Sequence, residues 1–269
     1  MIIPSFHPFF VPAIVFVFGA VVGSFLNVCI VRIPKRESVV SPPSHCPRCK
    51  TSLRFYDNVP LISYLLLRGR CRFCGGAISA RYFFVELMTA LLGVALWYRF
   101  GLGIAFFIYF AFVASLIVIS FVDLDLRIIP DAISLPGIAV GFVASILSSS
   151  ISAPFSYTPS PMDSFLGILL GGGILFLVAW VYQLLTGKEG MGGGDIKLLA
   201  MIGSFLGWAS VLLTLFLASL TGSVVGVSFM LAKGVDTKYA LPFGPFLCVG
   251  AVLDLFFGEE LVSFLLSPY

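Results

Sequence analysis

From residue 9 onward the chain is a succession of long apolar runs separated by short polar breaks. The runs lie near 9–31, 82–99, 104–122, 133–150, 164–186, 197–210, 211–232 and 241–257. A helix needs about 20 mainly apolar residues to cross a hydrocarbon core roughly 30 Å thick. The pattern therefore predicts an all-α polytopic membrane protein of about eight transmembrane helices, of which the sixth is the shortest. Only one polar stretch is long. It divides the chain into a first transmembrane helix (1–32), a loop domain (33–81) and a transmembrane core (82–269). No internal repeat or low-complexity tract is evident.

Composition agrees, because 59% of the 269 residues are hydrophobic and 11% are charged, against about a quarter charged in a soluble domain. Charge placement sets the orientation. Residues 32–81 hold ten of the sixteen basic residues and only Glu37 and Asp57 as acids, +8 for that stretch and −5 for the rest. Lys and Arg gather in cytoplasmic loops, so this loop is expected inside. The same rule places 100–103 and 151–163 outside, and 123–131, 187–196 and 233–240 inside, with Lys188, Lys197, Lys233 and Lys238 on the inner side. The first run lacks a small-residue cleavage pattern and reads as an anchor. Attraction to anionic lipid explains the basic loop. Without an interleaved aromatic platform it predicts no nucleic-acid partner.

The loop holds two C-x-x-C pairs, Cys46 with Cys49 and Cys71 with Cys74, separated by 21 residues. Two such knuckles supply the four soft ligands of tetrahedral zinc, and a closed four-thiolate site has no open position for a catalytic water. Structural zinc is expected, since cytoplasmic thiols stay reduced. His45 reads as a solvated loop residue, and Cys29 and Cys248 as small buried hydrophobes.

Ionisable groups at a membrane are costly unless they face protein or water. Asp163, Glu259 and Glu260 fall at span ends, Glu86 is placed to neutralise Arg81 or to line a site, and Asp254 has no assigned role. Two acid clusters stand apart at one predicted depth: Asp123, Asp125 and Asp131 in FVDLDLRIIPD, and Asp195 in MGGGDIK. Gly192, Gly193 and Gly194 permit positive φ and leave room beside Asp195; alternatively, Asp195 serves the start of the helix that follows. Two carboxyls brought together share a proton, one acting as base and the other as acid, the arrangement of aspartic proteases. Asp123 and Asp125 differ by about 200° on a helix, so only one points inward, and helical geometry does not choose. An ion-coupled transporter and a zinc-loop docking protein are the competing readings.

The segments GSFLNVCIVRIP (23–34), SPPSHCPRCK (41–50), YDNVPLISYLLLRGRCRFCGGAISARYFFVEL (56–87), DLDLRIIPD (123–131), GGGD (192–195) and ALPFGPFL (240–247) resemble the type IV prepilin peptidases. The resemblance implies a G-x-G-D aspartic endopeptidase of the bacterial inner membrane, working at the cytoplasmic face. It implies Asp123 and Asp195 as the catalytic pair, with Asp125 as the alternative first acid. Arg127, Pro130, Asp131, Gly192 and Gly194 become supporting residues. Its substrates would be prepilins and pseudopilins, cut after a glycine while the pilin helix stays in the bilayer. Retention of the cysteine loop implies a second activity, N-methylation of the new N-terminal residue with S-adenosylmethionine. No residues are assigned to the methyl donor.

Overall fold

The computed structural model describes residues 9–150, 158–188, 192–233 and 242–266. Most of the outer loop 151–163, Glu189–Met191, Lys238 and the first residue of the eighth apolar run lie outside the described residues. Among the described residues the regular structure is helical: α1 (Phe10–Arg32), α2 (Ile62–Leu66), α3 (Ala80–Phe100), α4 (Ile104–Leu126), α5 (Asp131–Ser150), α6 (Pro161–Thr186), α7 (Gly193–Leu206), α8 (Trp208–Lys233) and α9 (Gly244–Leu266). Helices α1, α3, α4, α5, α6 and α8 are long and apolar enough to span a bilayer. Helix α9 has the length but carries Asp254, Glu259 and Glu260. Helix α7 has 14 residues, about 21 Å at 1.5 Å per residue, shorter than the hydrocarbon core.

The break between the sixth and seventh apolar runs falls at Gly207, not after residue 210. Gly207 adopts φ +89° and its N–H returns to Gly203 O at 2.9 Å, a positive-φ helix end that glycine tolerates best. Helix α6 is bounded in a comparable way. The Ser160 hydroxyl accepts from Asp163 N at 3.1 Å at its start, and Gly187 closes it in the left-handed conformation.

Contacts group the chain into two compact units, Met1–Val118 and Ile119–Tyr269, with the boundary inside α4. In the first unit α1 lies directly on α3. A Cβ on Gly19 would sit 2.7 Å from Ala90 Cα, and one on Gly23 2.7 Å from Glu86 Cα, the close approach that small residues four apart allow in membrane helices. Arg32, buried at the end of α1, donates to Ser38 O at 2.9 Å and Pro42 O at 2.7 Å, folding the loop back over the helix end.

In the second unit α6 and α7 meet through glycine. Any Cβ on Gly167 or Gly203 would collide with the other residue's carbonyl, and one on Gly171 would meet Leu199 O at 2.5 Å. The Ser164 hydroxyl donates to Ser204 O at 2.7 Å across the same seam. Large apolar side chains such as Phe165, Leu169, Phe176 and Trp180 remain on the outer face of α6. On a soluble protein so large an apolar surface would be anomalous, whereas lipid covers it at no cost.

Candidate active site

The acids of the second unit are positioned by helix ends. Asp123 stands in the last turn of α4. Arg127, at φ +56°, ends that helix with its N–H on Asp123 O at 2.9 Å. Asp123 is buried at 6% exposure, whereas Asp125 is exposed. Helical geometry left these two equivalent; packing distinguishes them, because only Asp123 faces the bundle.

Asp195 stands in the first turn of α7, three residues after Gly192, and its N–H reaches Gly192 O at 3.2 Å. It is half-buried. The two carboxyls are 72 residues apart in sequence and near enough for the charge on Asp123 to act on Asp195. Ile129 explains the approach. A Cβ on Gly194 would lie 2.9 Å from Ile129 Cβ, and one on Gly244 would lie 3.3 Å from Ile129 Cδ1 and 2.6 Å from Asp123 Oδ2. Ile129 thus packs between Gly194 at the start of α7 and Gly244 at the start of α9.

Gly192, Gly193 and Gly194 do not use the positive φ that glycine permits. Their value lies elsewhere. Gly194 gives Ile129 space that a side chain would fill, while nothing lies within 4 Å of a Cβ on Gly193. Asp131 opens α5 after the buried Pro130. Its Oδ1 accepts from Lys197 Nζ at 2.7 Å. With the side chains 38% and 56% exposed, that pair contributes under about 1 kcal/mol and serves mainly to align the start of α5 with that of α7.

Three contributors escaped sequence reasoning. Gly244 N–H donates to Asp123 Oδ2 at 3.1 Å. Cys248, one turn further along α9 and buried at 3% exposure, interacts with the Ser120 side chain and lies within the electrostatic reach of both Asp123 and Asp195. The Gly-Pro step at 244–245, opening an apolar run, was the available signal for Gly244. Cys248 and Ser120 carry none.

The cysteines of the first unit form a separate, compact set. Each C-x-x-C sits in a tight turn made by the same bonds: Lys50 N to Cys46 O and Cys46 N to Thr51 O in one, Gly75 N to Cys71 O and Cys71 N to Gly76 O in the other. Isolated bridges His45–Ser52 and Arg70–Ala77 close the two turns. The knuckles are therefore a structural repeat at an offset of 25 residues, invisible in the sequence because little beyond the cysteines is shared. Lys50 and Gly75 occupy equivalent left-handed positions, φ +58° and +65°.

Cys46 and Cys74 Sγ are 3.9 Å apart, Cys49 and Cys71 Sγ 4.0 Å, and all four lie within 4.8 Å of one another. These are not disulfide lengths. A tetrahedral site with metal–sulfur bonds of about 2.3 Å puts its sulfurs about 3.8 Å apart, so the set is able to hold a metal ion. Thr51, through its hydroxyl and then its backbone, pulls the Cys49 thiol down to about 6, and backbone groups of Cys74 and Phe73 lower that of Cys71. Both shifts favour the thiolate that metals bind, whereas at Cys74 the Gly76 backbone bond, which lowers the thiol, is outweighed by burial and the other three thiols, which push it up to about 11. His45 is exposed and its Nδ1 pairs with Pro43 O at 3.3 Å, outside the thiol set.

Two family models match the chain: the bacterial Peptidase A24 N-terminal domain over residues 17–100 and the type IV leader peptidase family over residues 110–227. Among curated relatives, the prepilin leader peptidase/N-methyltransferase of Aeromonas salmonicida is 35% identical over 280 residues, covering 95% of this chain and 94% of its own. The protein of the same description from Pseudomonas aeruginosa is 35% identical, with 95% and 93% covered. That of Xanthomonas campestris is 36% identical, with 91% of each covered. No solved structure matches. At 35% identity over 95% of its length to such relatives, the chain belongs to the type IV leader peptidase family.

Proposed function

We propose that the protein is a membrane-embedded aspartic endopeptidase that removes the leader of type IV prepilins or pseudopilins and N-methylates the new N-terminal residue. The observation that carries the peptidase reading is that Asp123 and Asp195, 72 residues apart in sequence, lie within electrostatic reach of each other at the end of α4 and the start of α7. Two carboxyls so placed serve as an acid and base pair when one is protonated and the other ionised. One carboxylate takes a proton from water as it attacks the scissile carbonyl, while the protonated partner donates to the carbonyl oxygen; the roles then reverse to protonate the leaving amine. Gly244 N–H holds Asp123 from behind, leaving its other oxygen for the water. Arg127, at the exposed end of α4, shapes the loop and the substrate path, and Asp125 is the alternative first acid.

The pair lies where α4, α7 and α9 end or begin, so it opens at an end of the bundle. The charge rule makes that the cytoplasmic side of a bacterial inner membrane. A pilin whose apolar helix remains in the bilayer presents its leader at that level, with cleavage after a glycine. Zinc is the metal of the four thiols, with a structural role.

The test is leader removal from a purified pseudopilin, followed by mass. Asp195→Asn and Asp123→Asn should each abolish cleavage in a protein that still inserts and stays monodisperse in detergent. Complete cleavage by either variant would overturn the assignment.

A further inference from the structure

The type IV leader peptidase match begins at residue 110, so the peptidase acids and the cysteine unit fall in separate matched regions. The first unit contains a cavity of about 580 Å³ between the loop, α1 and α3. That is far more than the roughly 30 Å³ of one water and within the range of small-molecule sites, about 300 to 1,000 Å³.

Its lining mixes acids with cations, and its unmatched buried atoms are acceptors. Asn27, Asp57 and Glu86 all line it and are all at least nine-tenths buried. Asn27 Nδ2 donates to Tyr82 O at 3.0 Å and Asp57 Oδ1 accepts from Arg72 Nε at 2.6 Å, but Asn27 Oδ1 and Asp57 Oδ2 have no partner among the described residues. Glu86 is held in place: Oε2 accepts from Leu61 N at 2.8 Å, and the Ser24 hydroxyl donates to the same carboxylate. Leaving a buried acceptor unmatched costs about 1 to 3 kcal/mol. Two of them beside a carboxylate call for a ligand that brings donors and positive charge. Val28, Val31 and Leu67 supply apolar wall, Tyr64 an aromatic ring, and Lys35 and Arg70 cations for an anionic end.

We propose that this cavity is the methyl-donor site and takes S-adenosylmethionine, with Asn27, Asp57 and Glu86 as the acceptors for its cationic groups. The inference rests on the methyl-transfer half of the proposed function. A sulfonium and an ammonium match the acceptor side, an adenine the apolar and aromatic wall, and a carboxylate the cations. When bound, the donor supplies a methyl group: the neutral amine's lone pair forms the N–C bond, and the S–C electrons return to sulfur, leaving a thioether while nitrogen takes the positive charge. The chain's own part is to bind and orient, because Glu86 is anchored by Leu61 N–H and cannot swing away without leaving that donor unmatched.

The measurement is equilibrium binding of radiolabelled S-adenosylmethionine to the full-length protein in detergent, without any pilin. Glu86→Gln, which keeps an acceptor for Leu61 N–H and removes the charge, should weaken binding by about tenfold or more. Val28→Trp, which fills the cavity, should abolish it. No binding by the wild-type chain, or wild-type affinity in both variants, would overturn the proposal. If either variant fails to fold, ultraviolet cross-linking of the labelled donor to the wild-type chain decides. Label on peptides containing residues 24–35, 57–64 or 82–86 supports the site, and label elsewhere overturns it. Leader removal by the wild-type preparation is scored separately and tests the peptidase reading alone.

Discussion

Asp123 shows how much one backbone contact can decide. Its carboxyl is buried and receives the Gly244 N–H at 3.1 Å, and a methyl group on that glycine would stand 2.6 Å from the same oxygen. Gly244→Ala therefore cannot coexist with the present carboxyl position, and buried Asp123 has little space into which to move. Displacing a reacting group by about 1 Å costs on the order of a hundredfold in rate. We expect Gly244→Ala to lower kcat for leader removal by about that factor, with some loss of stability from the forced displacement. Asp125→Asn, at an exposed position one-half turn away, should stay within a few-fold of wild type in kcat, which the same mass assay reads. Inactivity of Asp125→Asn would exchange the roles of the two acids. Asp57 is the counterpart in the loop: a residue that counted only as a minor acid in the sequence proves buried against Arg72.

At the level of elements, the knuckle loop and the glycine seams hold the molecule by different means. Helices in lipid gain nothing from hiding apolar surface against one another, so α1 on α3 and α6 on α7 depend on close backbone approach through Gly19, Gly23, Gly167, Gly171 and Gly203. The loop has few regular elements, one 3₁₀ turn at Phe55–Asp57 and the five-residue α2, and too small an apolar core to fold unaided. A metal ion held by the four thiols would supply what the core lacks. Cys71→Ser should therefore purify with well under one zinc per chain by elemental analysis. Limited proteolysis should cut it first between residues 46 and 74, leaving the helices intact. Full metal content in that variant would show that the thiols are not the ligands.

For the whole molecule, the asymmetry of charge predicts which side of the membrane each feature faces. The loop carries +8 and the remainder −5, a bias that orients short loops toward the cytoplasm. In intact spheroplasts an impermeant thiol reagent should leave exposed Cys74 unmodified, and after permeabilisation and zinc removal it should label it. Labelling of intact cells would reverse the topology and move the acids to the outer face.

The sequence by itself determined the features that depend on local patterning. Runs of about 20 apolar residues can only be helices in a bilayer, because backbone groups there must pair within their own segment. The C-x-x-C spacing likewise carries its own turn, and acids amid apolar residues mark themselves. Tertiary structure decided everything that depends on residues far apart in the chain. It turned Asp123 inward and Asp125 outward, which a helix alone leaves undetermined. It brought Gly244 to Asp123 across 121 positions, and set Ile129 in the space left by Gly194. Glu86, which sequence could assign only to Arg81 or to a site, was given to Leu61 N–H and to the wall of a cavity. The physical reason is common to all of these. Periodicity fixes which face a side chain is on, but only packing fixes what that face meets.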